Sequence, residues 1–509
     1  MSLSDSSKQL SKTSIRNIID YIWPIERREL PKFLSITLLM FCILLIQNLI
    51  RAQKDSIVNT MIGTETISFL KLWGVLPASI LMTIIYVKLV NTMRAENIFY
   101  LIISIFLLFF ALFGFVLFPY HETFHLNPES TQAWVAAYPH FKWFILLFSK
   151  WSFSLFYIIA ELWPNAVFAI LFWQFVNNVT SIEESKRFYL LFGLFGQTGL
   201  YFAGAFLENL PQMSSYVMTH YGVESTASIL SVQLTLGFTL ALGALAMITF
   251  WALNHKVLDK TASEIKFTAK KKKGLPLGES FKMILSSRYI MLIAILLTCY
   301  GMSVNLVEQP WKAKATSLYT TNEEYAVFVG GYLKYTGIVT MTFALLGSSI
   351  VRKFGWFAAA IITPAILFTT GMIFFAISSF EGMSALMVSL MAVSDPVAIA
   401  VSMGFLTQVC AKSSKYTLFD ATKEMAYVPL SDELKAKGKG AVDMIGNKLG
   451  KSTGSLLQFM IFMLIPSATY QSISGYLMVV FTIICIVWIW AVGELSIEYK
   501  KAVEEKGGE

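Results

Sequence analysis

Apolar runs long enough to cross a bilayer follow one another along almost the whole of this 509-residue chain. A helix needs about 20 apolar residues to span the hydrocarbon core, with a range of about 17–25. Such runs lie at 33–50, 66–91, 97–119, 143–177, 187–207, 228–253, 289–307, 325–349, 355–379, 383–409, 453–469 and 472–493. Only 14% of the residues are charged and 56% are hydrophobic, against about 25% and 45–50% in soluble domains. Too few polar residues remain to cover several water-soluble domains, so a soluble multidomain enzyme is excluded. Disorder is excluded too, because apolar surface is abundant. The expected class is an all-α polytopic membrane protein.

The polar first 30 residues contain no apolar h-region, so no cleavable secretory signal is expected. Cys42, Cys299, Cys410 and Cys485 each stand alone in or beside apolar runs and read as small buried side chains. No CxxC pair or Cys/His cluster exists, so neither a metal nor a cofactor is expected.

The run at 143–177 is too long for one straight crossing. Its 35 residues reach about 52 Å, against a core of about 30 Å. It predicts either one helix bent near Pro164 or two crossings without a loop. Lys and Arg accumulate on the cytoplasmic side of membrane proteins. With twelve crossings and both termini inside, 31 of the 40 Lys and Arg fall in inside segments. Five fall outside: Arg51, Lys54, Lys142, Lys312 and Lys314. A thirteenth crossing places the lysine-rich 254–288 segment outside, so twelve are expected.

The expected organisation is a cytoplasmic tail (1–32), a six-helix half (33–253), a basic cytoplasmic linker (254–288), a second six-helix half (289–495) and a short tail (496–509). Two six-helix halves suit a transporter that rocks around a site near the midplane. The linker run Lys270 to Lys273 reads as solvated charge beside anionic lipid.

Ionisable side chains are costly inside a membrane and usually face a bundle interior or a water-filled cavity. Lys71, Lys150, Glu161, Glu308, Lys334 and Asp395 are such residues. Arg51, Lys54 and Asp55 continue the first helix, and Asp443 and Lys451 open the eleventh. Lys88 and Lys142, near span ends, read as snorkelling charges. The remaining cations are more than an apolar solute needs, and a polyphosphate explains them, since Lys and Arg match phosphate oxygens well. The carboxylates then hold the lysines while the site is empty.

The LGKS string at 449–452 is not a P-loop. Gly446 precedes Gly450 by four positions rather than five, and no strand is plausible beside it. At the start of a membrane helix, exposed amides and a lysine can still hold phosphate. Trp73, Trp134, Trp143 and Trp163 read as interface anchors. His121, His125 and His140 share one outside loop and read as solvated rather than pH-sensing.

Nine stretches in order carry a resemblance: WPIERRELPKF at 23–33, R-x-x-K-D at 51–55, GTETISFLK at 63–71, AELW at 160–163, LFWQFVNN at 171–178, ESKRFY at 184–189, NLVEQPWK at 305–312, SKYTLFDATKEMAYVPL at 414–430 and LGKS at 449–452. Together they resemble the nucleotide transporters of obligate intracellular bacteria and plastids, the bacterial ATP/ADP translocases. The resemblance implies a twelve-helix bundle of the major-facilitator type that exchanges ATP for ADP across a bacterial inner membrane. It implies that Lys71, Glu161, Glu308 and Lys451 are needed for transport. Arg51, Lys54 and Asp55 join them as expected substrate-binding residues. Thr453 stands where the family usually has Gly, and Pro164-Asn165 follow AELW, so the base stays open.

A second reading keeps the fold and changes the substrate to GTP, UTP or CTP, with a proton co-transported. A membrane-embedded enzyme is the remote alternative, since no nucleophile has a nearby base. A receptor needs a soluble output domain that the chain lacks. The expected partners are a nucleotide and membrane lipid, with no nucleic acid, and the protein is expected to act as a monomer.

Overall fold

The computed structural model describes residues 25–258, 284, 287–391, 395–430 and 439–507. Every regular element among the described residues is a helix. The first half holds α1 (Leu30–Met61), α2 (Thr66–Thr92), α3 (Ala95–Leu117), α4 (Trp151–Val179), α5 (Ile182–Glu208) and α6 (Ala227–Val257). The second holds α7 (Arg288–Ala315), α8 (322–352), α9 (Lys353–Ser379), α10 (Pro396–Tyr427), α11 (Lys439–Leu464) and α12 (Ser474–Gly507). Among the described residues, ten helices are long and apolar enough to cross a membrane. With α8 and α11 beside them, the arrangement is compatible with twelve crossings. Most of the expected linker 254–288, and most of the tail 1–32, lie outside the described residues.

Local chemistry sets the helix ends. Ser181 and Glu184 form a capping box at the start of α5, and Thr321 and Glu324 form another at α8. α8 and α9 lie in one 58-residue helical run with a kink at Gly355, in the first turn of α9, where a φ of +79° favours glycine. Asp395 accepts a hydrogen bond from the Val397 amide at 2.8 Å and caps α10, with Pro396 at the first helical position. This corrects its reading as a buried membrane acid.

Two span boundaries also differ from expectation. In the run at 143–177 the chain breaks at Lys150 (φ −113°, ψ 47°), between a short helix Lys142–Ser149 and α4. Pro164 does not divide it. A proline lacks an amide and crowds the preceding turn, and α4 passes it in a wider π-type stretch, Pro164–Phe172. The run at 383–409 splits into a helix Glu381–Met391 and α10, which continues past 409 to Tyr427. Trp163 and Trp143 are core residues rather than interface anchors, and the Trp163 indole donates to the Ile43 carbonyl at 3.2 Å. Trp73 and Trp134 are exposed.

The two halves meet most closely at one end, here called distal, where α1 ends and α8 begins. There Ser56 donates to the Asn322 carbonyl at 2.5 Å, and Asn59 donates to the Tyr325 hydroxyl at 2.9 Å. Ser68 of α2 donates to Gln458 of α11 at 3.1 Å, and Lys334 of α8 pairs with Glu208 of α5 at 2.6 Å. Glycines let α5 and α8 touch: a Cβ added to Gly330 would stand 2.7 Å from the Leu207 Cβ. At the opposite, proximal end, the described ion pairs stay within a half. Lys32 binds Glu184 at 2.7 Å, Arg187 binds Glu29 at 2.5 Å, and Arg288 binds Glu494.

Candidate functional site

The sequence of α1 sets Arg51, Lys54 and Asp55 at helical spacings of three and four, so they share one face. Lys54 is almost fully buried, and its Nζ lies 2.6 Å from Asp55 Oδ1 and 2.8 Å from Glu161 Oε1 on α4. Its ammonium also stands over the Tyr157 ring, 3.9 Å from the centroid. On α7, Glu308 and Lys312 are one turn apart and pair at 2.9 Å. Lys312 then reaches across the interface between the halves to Asp55 Oδ2, at 2.8 Å.

These contacts form a continuous alternating chain: Glu161, Lys54, Asp55, Lys312, Glu308. Ionised groups withstand burial only when paired with good geometry, and Asp55 satisfies this by giving one oxygen to each lysine. The terminal carboxylates match: Glu161 and Glu308 are each 22% exposed, one per half.

Three more cations surround the chain and make no ion pair with any described residue. Arg51 lies within electrostatic reach of Glu161, Asp55 and Glu308. Lys71 lies within reach of Glu308 and Glu161, and Lys412 of α10 within reach of Glu308 and Asp55. All three are half-buried. Lys71 falls in a π turn of α2, Leu70–Val75, a local widening frequent at functional positions. Among the described residues, five cations thus face three carboxylates at this site, leaving two positive charges in excess. Such an arrangement suits a multiply charged anion that replaces carboxylate partners one by one.

Of the residues expected from sequence, Lys54, Asp55, Glu161 and Glu308 are brought into direct contact, and Arg51 and Lys71 lie beside them. Lys451 falls on α11, but its side chain, like that of Asp443, lies outside the described residues. Lys150 instead donates to the Met61 carbonyl, and Lys334 ties α8 to α5. His125 bonds the Ser152 hydroxyl at 2.7 Å. Burial, with His121 and Lys150 nearby, pushes its pKa from 6.5 down to about 4. It is neutral at physiological pH.

Sequence reasoning missed Lys312 and Lys412. Lys312 counts in the sequence as an outside charge and Lys412 falls just past the apolar run at 383–409, but both lie within long helices. The four-residue spacing of Glu308 and Lys312 was the available signal. Two surface clefts, one beside His220 and one along Leu457 and Val480, contain none of these charges.

Residues 8–499 match the TLC ATP/ADP transporter family. A Rickettsia bellii protein named ADP,ATP carrier protein 4 is 61% identical over 500 residues, which cover 98% of this chain and 96% of that one. Its Rickettsia felis namesake is 62% identical over 488 residues, covering 96% and 95%. Among solved structures, a nucleoside transporter superposes with a TM-score of 0.56 at 11% identity, over 91% of this chain and 99% of that one. A bacterial homologue of ferroportin in an inward-facing state gives 0.56 at 13% identity, with the same coverage. At such identities the likeness is one of fold, the two-half bundle of major-facilitator transporters. With nearly the whole length matched and a charged site inside a membrane bundle, the chain belongs to the TLC ATP/ADP transporter family: it is a multi-pass membrane transporter and not an enzyme.

Proposed function

We propose that this protein exchanges ATP for ADP across a bacterial inner membrane by alternating access, with ATP entering and ADP leaving. The observation that carries this reading is the excess of cations around the Asp55 to Lys312 contact, where the two halves meet. The names of the Rickettsia relatives point to the same pair of nucleotides.

In this reading, Arg51, Lys71 and Lys412 hold the phosphates, and Lys451 joins them from α11. Glu161 and Glu308 occupy Lys54 and Lys312 until substrate arrives, and Asp55 couples the halves. The six-helix halves 33–253 and 289–495 move about this contact, joined by the linker 254–288. Both termini are cytoplasmic, so the distal end faces outward and the conformation described is closed to the outside. The carrier works as a monomer.

Exchange follows from charge. Moving an unbalanced set of cations through a low-dielectric constriction is costly, and a bound polyphosphate neutralises it. The loaded carrier therefore reorients more readily than the empty one. Uptake of labelled ATP, GTP, UTP and CTP into proteoliposomes tests the proposal. ATP entry should accelerate on preloading with ADP and ignore a protonophore. Uptake into unloaded vesicles, driven by an inward pH gradient and collapsed by protonophore, would refute strict exchange.

A further inference from the structure

The cation cluster suits the phosphates of a nucleotide but leaves its base without a place. One turn beyond Lys412, Tyr416 is 43% exposed although it lies well inside α10. It belongs to a π turn, Lys415–Phe419, the counterpart on α10 of the one that holds Lys71 on α2. Arg51 on α1, Tyr300 on α7 and Tyr332 on α8 lie within electrostatic reach of its hydroxyl. A lipid-facing side chain would not reach α1 in the other half. The ring therefore looks into the space between the halves.

Its surroundings are those of a binding platform. Lys415 stands 4.8 Å from the ring centroid, and Asp420 holds that lysine at 2.9 Å. Tyr332 is 5% exposed, and its hydroxyl has no hydrogen-bond partner among the described residues. A buried hydroxyl left unpaired is unfavourable and marks a place where a partner is missing. Lys412 lies over that same Tyr332 ring, 4.7 Å from the centroid, which links the platform to the cations.

Depth sets the direction. The Trp311 indole, next to Lys312, donates to the Val401 carbonyl at 2.9 Å and so fixes the level of the ionic chain on α10. Tyr416 lies 15 residues further along that helix, toward the proximal end and one turn past Lys412, the most proximal of the cations on α10 that face the ionic chain.

We infer that Tyr416 is the platform on which the nucleobase stacks, with the Tyr332 hydroxyl as its polar neighbour, so that the substrate lies phosphates-distal and base-proximal. The inference rests on the nucleotide reading above. Stacking on an aromatic ring serves every base but favours the larger purines.

The test uses the full-length protein in proteoliposomes, with affinities for ATP, ADP and UTP measured by competition. Tyr416→Leu should weaken ATP and ADP by the same factor, at least about fivefold, and narrow the preference of purine over pyrimidine. Tyr416→Phe should stay within about twofold of the parent, and Tyr416→Trp should keep the purine preference, which a misfolded site would not. An unchanged ATP affinity in Tyr416→Leu would overturn the inference. So would an altered ATP-to-ADP ratio at constant base preference, which would place Tyr416 at the phosphates. If the parent protein carries no nucleotide at all, the exchange reading fails first, and that result is distinct from either of these.

Discussion

Asp55 on α1 and Lys312 on α7 meet across the boundary between the two halves, Oδ2 to Nζ at 2.8 Å. The other oxygen of Asp55 holds Lys54 at 2.6 Å. One carboxylate thus ties a lysine from each half, and any movement of the halves about the site must break or remake that tie.

Lys312→Met removes the central cation, leaving Glu308 without its ion-pair partner and Asp55 with Lys54 alone. Breaking a buried pair from one side typically costs about 3–5 kcal/mol, because a charge is left without its partner. The variant should melt well below the parent. Adding Asp55→Asn should recover part of that loss, since the oxygen that faced Lys312 no longer carries charge, while exchange stays absent. Thermal unfolding of the purified proteins as a double-mutant cycle checks this. Additive losses would mean that the contact carries no coupling.

Lys71 makes no ion pair with any described residue, so its removal strands nothing. Lys71→Ala should insert and fold as the parent does, yet lose about 2–3 kcal/mol of nucleotide affinity, the scale of a hydrogen bond to a charged group. Direct binding to the purified protein, alongside its melting temperature, separates the two effects. A lowered melting temperature with unchanged affinity would assign Lys71 to structure.

Glu161→Gln and Glu308→Gln each release a lysine from the end of the chain, Lys54 in one half and Lys312 in the other. Nucleotide should then bind as well as before or better, since fewer carboxylates compete for the cations. Exchange should fall, because nothing displaces the bound phosphate. The matched exposure of the two glutamates predicts similar effects from both. Equal losses of binding and exchange would mean that the carboxylate touches ribose or base.

The sequence makes the helices and most of this site legible, for physical reasons that differ residue by residue. Arg51, Lys54 and Asp55 stand out because a membrane helix seldom carries three charges on one face. Glu161 and Glu308 stand out because acids inside apolar runs are costly. Lys312 is hidden because it lies near the end of its helix, where a basic residue reads as loop charge. Only the approach of α1, which no local pattern encodes, makes it a partner for Asp55. Lys412 is hidden because hydropathy ends near 409 while α10 continues on polar residues through a π turn. The break at Lys150 escaped for the opposite reason. Proline is the usual suspect for a bend, yet the backbone at Pro164 stays helical.

The distal closure depends on how near α5 and α8 approach. A Cβ on Gly330 would meet the Leu207 Cβ at 2.7 Å, the Gly204 carbonyl at 3.0 Å and the Glu208 amide at 3.1 Å, two of them backbone atoms that cannot swing aside. Gly330→Val should therefore push the helices apart, weaken the neighbouring pair of Lys334 and Glu208, and hold the distal end ajar. Exchange should fall steeply while expression and insertion persist, because the defect lies in one of two alternating states. A cysteine at position 322, where Asn322 is buried beneath Ser56, reports the opening. In a Cys410→Ala background, with the other native cysteines buried, Asn322→Cys should react severalfold faster with a membrane-impermeant maleimide once Gly330→Val is added. Gly475→Ala is the control, since its added Cβ meets nothing within 4 Å. If labelling is unchanged in Gly330→Val, the glycine contact between α5 and α8 does not govern closure.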